Sequence, residues 1–251
     1  MKVIDQLLAI KKKMGAGYLV LIDPDKQDVD TAIELAKTCE KAGVDALLVG
    51  GSLLLANVFD ETVKGIKENC SLPVIIFPGS TKQISKYADA ILFLSLVSGR
   101  NPDSLIGSHV VAAPIIKSIN LEAISTAYMF IDSGTVTSAL FMSDTRPIPR
   151  EKPDIAAAHA LAAQYVGMQC VYLEAGSGAK HSVPNKVVAA VAQYTSMPII
   201  CGGGIRTPDE AREKVRAGAS FIVTGTIIEK DSNPALIQAF ADAVHTNDRN
   251  S

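Results

Sequence analysis

The sequence has no paired cysteine motif, no long apolar run and no excess of basic charge. Each absence removes a class of protein. The four cysteines stand at 39, 70, 170 and 201 without C-x-x-C spacing. They read as reduced core thiols, two in helices and two in buried strands, and this points to a cytoplasmic protein. No apolar stretch reaches ~18 residues, so a transmembrane segment is not expected. The first residues lack the pattern of a signal peptide. A formal net charge of -2 with no basic stripe argues against a nucleic-acid surface. Lys11-Lys12-Lys13 is the one basic run; it reads as a solvated helix end, with transient membrane or anion contact as the lesser alternative. There is no His/Cys cluster for zinc. Gly15-Ala16-Gly17 precedes a strand instead of following one, so it is not a dinucleotide fingerprint. Gly176-Ser177-Gly178-Ala179-Lys180 lacks P-loop spacing.

What is present is an ordinary globular composition, 48% hydrophobic and 20% charged over 251 residues. Eight apolar runs alternate with helical segments, with strands ending near Ile22, Val49, Phe77, Leu94, Ile131, Leu173, Cys201 and Val223. Runs such as Tyr18-Leu19-Val20-Leu21-Ile22 are continuous, as in parallel strands buried on both faces. Alternation at this length predicts an α/β fold, one (β/α)₈ barrel spanning residues 1–251 as a single domain. A leading helix with apolar residues at 3, 4, 7, 8 and 10 is expected to cover the bottom of the barrel. Between the third and fourth strands the reading gives a short helix. The segment 102–122 is read as helix in its first half, and the fifth strand as starting at Ala127. Residues 136–141 read as a hairpin-like connection, and residues 145–153, stiff and proline-rich, as a lid. Asp154 is expected to cap the next helix. The tail from 246 to 251 reads as frayed.

Active sites of such barrels lie at the C-terminal ends of the strands. Three consecutive strands end in glycine: Glu174-Ala175-Gly176-Ser177-Gly178, Gly202-Gly203-Gly204-Ile205-Arg206 and Thr224-Gly225-Thr226. Backbone N–H groups gathered there suit a phosphate. Strand one contributes Asp23-Pro24-Asp25-Lys26, strand two Ser52 and strand four Arg100. Asp23 is either a turn cap or, with the Ser52 hydroxyl, a sparse oxygen site for Mg²⁺ completed by water and substrate phosphate. Glu174 either pairs with Lys180 or Arg206 or accepts a proton from a substrate hydroxyl. His181 reads as exposed, His159 as lying within a helix, and His109 as remote from the strand ends. From the residues alone, the reading is a metal-assisted enzyme acting on a phosphorylated small molecule.

The combination of Leu21-Ile22-Asp23-Pro24-Asp25-Lys26, Gly50-Gly51-Ser52, Ser98-Gly99-Arg100-Asn101-Pro102, Thr145-Arg146-Pro147-Ile148-Pro149 and Tyr172-Leu173-Glu174-Ala175-Gly176-Ser177-Gly178 with the two later glycine loops resembles the geranylgeranylglyceryl phosphate synthase family, in its longer, second group. The resemblance runs from about Gly17 to Glu229. It implies a Mg²⁺-dependent prenyltransferase joining the 3-hydroxyl of sn-glycerol 1-phosphate to C1 of geranylgeranyl diphosphate, with release of diphosphate, in archaeal-type ether lipid synthesis. By position, Asp23 and Ser52 would hold Mg²⁺. Tyr172, Leu173, Glu174, Ala175, Gly176, Ser177, Gly178, Gly203, Gly204, Gly225 and Thr226 would bind the glycerol phosphate, and Glu174 would be the base. The resemblance also implies a homo-oligomer, dimer or hexamer. The alternatives are the same reaction with a heptaprenyl chain, a different phosphate-binding barrel enzyme, or a non-catalytic phosphoglycerol-binding protein.

Overall fold

Apolar runs buried on both faces pair as eight parallel strands in a computed structural model that describes residues 1–246. They are β1 (Gly17–Ile22), β2 (Ala46–Val49), β3 (Val74–Ile76), β4 (Ala90–Leu96), β5 (Glu122–Phe130), β6 (Cys170–Glu174), β7 (Ile199–Gly202) and β8 (Phe221–Thr224). The order follows the sequence, and β8 pairs with β1 to close the barrel. The helices are α1 (Val3–Met14), α2 (Val29–Lys41), α3 (Phe59–Asn69), α4 (Ser108–Ser118), α5 (Ser138–Met142), α6 (Pro153–Tyr165), α7 (Asn185–Tyr194), α8 (Pro208–Arg216), α9 (Thr226–Lys230) and α10 (Pro234–Val244). The predicted barrel is therefore the observed one. The expected tail falls mostly outside the described residues.

The strand period of two divides the core. Leu19, Leu48, Ile75, Leu92, Tyr172 and Phe221 fill the barrel interior, while Val20, Val49, Leu173 and Ile222 face the helices. Val3, Ile4 and Leu7 of α1 join the interior set, so α1 closes the bottom as expected. The Glu122 carboxylate, at the start of β5, accepts the Val3 and Ile4 N–H groups at 2.6 and 3.1 Å. It thereby satisfies donors that a helix N-terminus leaves free. The open end is left for chemistry.

Four readings of secondary structure need correction. No helix lies between β3 and β4; residues 81–89 run as turns, bends and irregular chain. Their apolar positions 84, 87 and 88 have helical spacing, but the segment is too short, and Ser85 bonds to Asp60. The buried Gln83 side chain holds this crossover instead, donating to Gly51 O at 2.8 Å and accepting from Gly51 and Gly79 N–H. Strand β5 begins five residues before Ala127, and the preceding segment is a short π-helical turn (residues 103–107) followed by α4. Residues 138–142 are helical, with the Thr137 hydroxyl accepting from Leu140 N–H. Finally, α6 begins with Pro153 at its first position, so Asp154 lies in the first turn and is not the cap.

The loop read as a lid is tied down. Ile148 donates to Phe130 O and accepts from Asp132 N–H at 2.8 and 2.9 Å. Arg150 donates to the Asp132 and Ser182 carbonyls, both at 2.9 Å. Residues 145–153 thus brace the rim between β5 and the loop after β6. Among the described residues no helix is long and apolar enough to cross a membrane.

Candidate active site

A cavity of about 500 Å³ opens at the C-terminal end of the barrel. Asp23, Ser52, Tyr172, Glu174, Ser177, Gly178, Gly203, Gly204, Gly225 and Thr226 all line it. Leu173 and Ala175 do not, because alternate strand positions send them outward into the layer under the helices. Gly176 lies behind the wall, where a Cβ would strike Thr137.

The polar side of the cavity carries Gly178, Gly203, Gly204 and Gly225. Gly203 and Gly204 have φ of 78° and 70°, a region that glycine enters without penalty. A Cβ on Gly203 would collide with Glu174 Oε1 and stand 2.5 Å from Gly176 N. Glycine here lets the loop after β7 pass directly over the carboxylate. Ser177 Oγ and Thr226 Oγ1 meet at 2.8 Å and join the loop after β6 to the start of α9.

Glu174 sits at the cavity floor, 5% exposed. Burial pushes its carboxyl up to about 7. The Gly176 N–H at 2.5 Å and the hydroxyls of Tyr128 and Tyr172 work against that rise. The expected alternative pairing with Lys180 or Arg206 is not formed: Arg206 donates to the Ala179 and Lys180 carbonyls at 2.7 and 3.0 Å. Burial next to Glu174 raises both tyrosines well above the usual phenol value, so they remain donors. Phe77 stacks on Tyr172 at 5.0 Å, and Tyr128 meets Phe77, Phe130 and Tyr172 edge-on. A carboxyl titrating near neutrality beside glycine-rich strand ends is equipped to accept a proton.

Asp23 Oδ1 accepts from Asp25 N–H at 3.2 Å, and its other oxygen lies 3.5 Å from Lys26 Nζ. A Cβ on Gly51 would come within 2.7 Å of Asp23, which places this carboxylate against the strand end that carries Ser52. One carboxylate and one hydroxyl are hard oxygen donors of the kind Mg²⁺ takes when water and phosphate complete its shell. No group of three His, Cys, Asp or Glu side chains with metal-site spacing occurs among the described residues. Asp25 is engaged elsewhere, its carboxylate accepting from Leu55 and Ala56 N–H. Arg100 is turned out of the cavity, toward Gly99 O and His159.

The other side of the cavity is apolar. Both faces of β4 line it, Leu92 and Leu94 from the inner face and Ile91 and Phe93 from the outer. Ile84, Ala112 and Ile116 complete this arm, which runs toward α4 beside the helix-free crossover after β3.

Residues 8–244 match the PcrB family. The chain belongs to that family. It is 46% identical over 244 residues to geranylgeranylglyceryl phosphate synthase of Chitinophaga pinensis, covering 97% of this chain and 96% of that one. It is 52% identical over 213 residues to the Pyrococcus furiosus protein of the same name, covering 84% of each. The crystal structure of (S)-3-O-geranylgeranylglyceryl phosphate synthase from Thermoplasma acidophilum in complex with sn-glycerol-1-phosphate superposes with a TM-score of 0.93 at 36% identity, over 98% of this chain and 100% of that one.

In this PcrB-family chain two cavity residues escape sequence reasoning. Tyr128 is hidden in the apolar run of β5; its register opposite Tyr172 puts both rings in one layer. The signal was its spacing of two from Phe130. His109, read as remote, lines the apolar arm, with Nε2 3.1 Å from Ser95 Oγ and its ring edge-on to Phe93. Burial holds it below the usual histidine value. His181 is exposed, as expected.

Proposed function

We propose that this chain is a Mg²⁺-dependent prenyltransferase that joins the 3-hydroxyl of sn-glycerol 1-phosphate to C1 of geranylgeranyl diphosphate and releases diphosphate. The carrying observation is the position of Glu174, a buried carboxyl titrating near neutrality between a glycine-built cradle and an apolar arm. The family relatives and the glycerol-phosphate complex of the Thermoplasma acidophilum protein support the same reading.

The steps follow from the geometry. Backbone N–H groups around Ser177–Gly178, Gly203–Gly204 and Gly225–Thr226 take the acceptor's phosphate. Anchoring the phosphate brings the far hydroxyl over Glu174, the orientation effect that makes the reaction effectively unimolecular. Tyr128 and Tyr172 hold the carboxylate, which accepts the hydroxyl proton as the oxygen bonds to C1. The C1–O bond to diphosphate breaks, and its electron pair leaves with the diphosphate. Asp23 and Ser52 would hold Mg²⁺, whose role when bound is to neutralise charge on that leaving group. The apolar arm takes the prenyl chain and keeps water from the allylic carbon. Buried free thiols at all four cysteines support a cytoplasmic setting, and we expect assembly into a dimer or hexamer.

Labelled sn-glycerol 1-phosphate incubated with prenyl diphosphates of several lengths tests the proposal. Ether formation greatest with geranylgeranyl diphosphate is expected. A heptaprenyl preference would change only the chain length. No ether from any of them would reject the reading.

A further inference from the structure

A facing pair of charges on the cavity rim has no part in the steps above. Lys26, in the loop after β1, donates to Glu229 Oε2 of α9 at 2.8 Å. The Lys26 side chain is 42% exposed and lines the cavity, whereas that of Glu229 is 9% exposed. The second oxygen of Glu229 is buried with no partner. An ordinary surface ion pair is wet at both ends and weakly coupled. Here one end is buried, so removing the ammonium would strand a desolvated carboxylate. Glu229 therefore holds the long lysine stem in place. The ammonium has three donors, and its nearest other acceptor, Asp23, is 3.5 Å away.

Other cations near the cavity are less available to an anion beside Asp23. Arg206 lines the cavity but is committed to two carbonyls, Arg100 points away, and Lys230 lines the cavity from the C-terminal end of α9, with no partner that fixes it beside Asp23 among the hydrogen bonds of the described residues. We infer that Lys26 is the cationic ligand of the leaving diphosphate and that Glu229 is a positioning residue that aims it. The inference rests on the prenyl-transfer reading. As the C1–O bond breaks, the electron pair moves onto the diphosphate oxygen, and the added charge meets the Lys26 ammonium without proton transfer. The glycerol phosphate has its own cradle across β6 to β8 and does not need this lysine.

The test uses Lys26→Met, Lys26→Arg, Glu229→Gln and the Lys26→Met/Glu229→Gln double variant of the full chain. Three readouts are taken: the KM for geranylgeranyl diphosphate, inhibition by inorganic diphosphate, and calorimetric affinity for sn-glycerol 1-phosphate. Lys26→Met should weaken the two diphosphate readouts about 10- to 100-fold, the range of a hydrogen bond to a charged group. Lys26→Arg should restore most of the loss. Glu229→Gln should weaken the same two readouts less, and add nothing where Lys26 is already Met. Glycerol-phosphate affinity should not move. Unchanged diphosphate inhibition in Lys26→Met would overturn the inference, and a loss confined to glycerol-phosphate affinity would assign Lys26 to the acceptor instead. An equal effect of Glu229→Gln with and without Lys26 would end its positioning role. Wild-type ether formation tests the prenyl-transfer reading separately, because inorganic diphosphate binding does not require turnover.

Discussion

Between β6 and β8 the cavity wall is rich in glycine, with Gly178, Gly203, Gly204 and Gly225, while between β3 and α4 it is lined by apolar side chains. In the first region the loops after β6 and β7 carry glycine at positive φ, and Gly203 passes so close to Glu174 that any side chain would collide with it. In the second, Leu92, Phe93, Ala112 and Ile116 form an apolar lining where a covering helix is missing after β3. A glycine-rich wall is exacting in shape and tolerates almost no substitution. A side-chain wall tolerates substitution but changes size with it. The difference predicts that changes on the polar side alter rate, whereas changes on the apolar side alter which substrate fits.

The largest effect is expected at the boundary between the two. Glu174→Gln should lower turnover about 10²- to 10⁴-fold, the usual range for losing a general base. Affinity for sn-glycerol 1-phosphate, measured by calorimetry, should change little. In the free wild-type protein kcat/KM should rise with pH and level off above about 7, because the base must be ionised and burial holds its carboxyl near that value. Stability should run the other way. The folded pKa lies above the ordinary 4.5, so the folded chain binds the proton more tightly. That contribution is complete below the unfolded value and is lost as pH rises through about 7. Glu174→Gln should therefore be about as stable as wild type near pH 5 and more stable than wild type near pH 8, by on the order of 1–3 kcal/mol, read by denaturant unfolding. Equal stability at both values would show that the carboxyl does not carry a raised pKa.

Asp23→Asn should remove most turnover while leaving glycerol-phosphate binding nearly intact, since the cradle does not include Asp23. Full activity in this variant, or in excess chelator, would end the metal role. On the apolar side, Ala112→Trp should shorten the arm. The KM for geranylgeranyl diphosphate should rise about tenfold or more at ~0.8 kcal/mol per displaced methylene, with shorter chains affected less. An equal loss for short and long chains would show that the arm is not where the prenyl chain lies. The smallest effect on turnover is expected at the rim. Arg150→Ala removes two hydrogen bonds to carbonyls and should cost about 1–3 kcal/mol of stability, read by denaturant unfolding. Turnover at a temperature where the variant is folded should change little, because the loop is a brace. A large loss of turnover there would restore the lid.

The polar side was legible because its constraints are local. Positive φ and close approach demand glycine, and three strands in succession that end in glycine can be read directly. Glu174 was legible as the last inward position before such a loop. Even there, the family resemblance implies Leu173 and Ala175 in the site, although the strand period of two sends them outward. The apolar side was not legible. Ile84, Tyr87 and Ala88 carry helical spacing, and nothing local announces that residues 81–89 would be held by Gln83 without a helix. Tyr128 and His109 look like core residues in their own segments, and only packing shows that one faces Glu174 and the other the cavity.

The sequence by itself determined the closed eight-stranded barrel, the end that carries the site, the glycine cradle and the two carboxylates, Asp23 and Glu174. These follow from hydrophobic period and from backbone conformations open to few residues. The tertiary structure decided the rest. Burial raises the Glu174 carboxyl, and that depends on every group around it, including tyrosines from β5 and β6. The apolar arm is lined together by β4, α4 and Ile84 of the helix-free crossover, which is a relation between distant segments. Lys26 meets Glu229 across 203 residues of chain. Such a pairing has no local signature, because it forms only when barrel closure brings β8 beside β1.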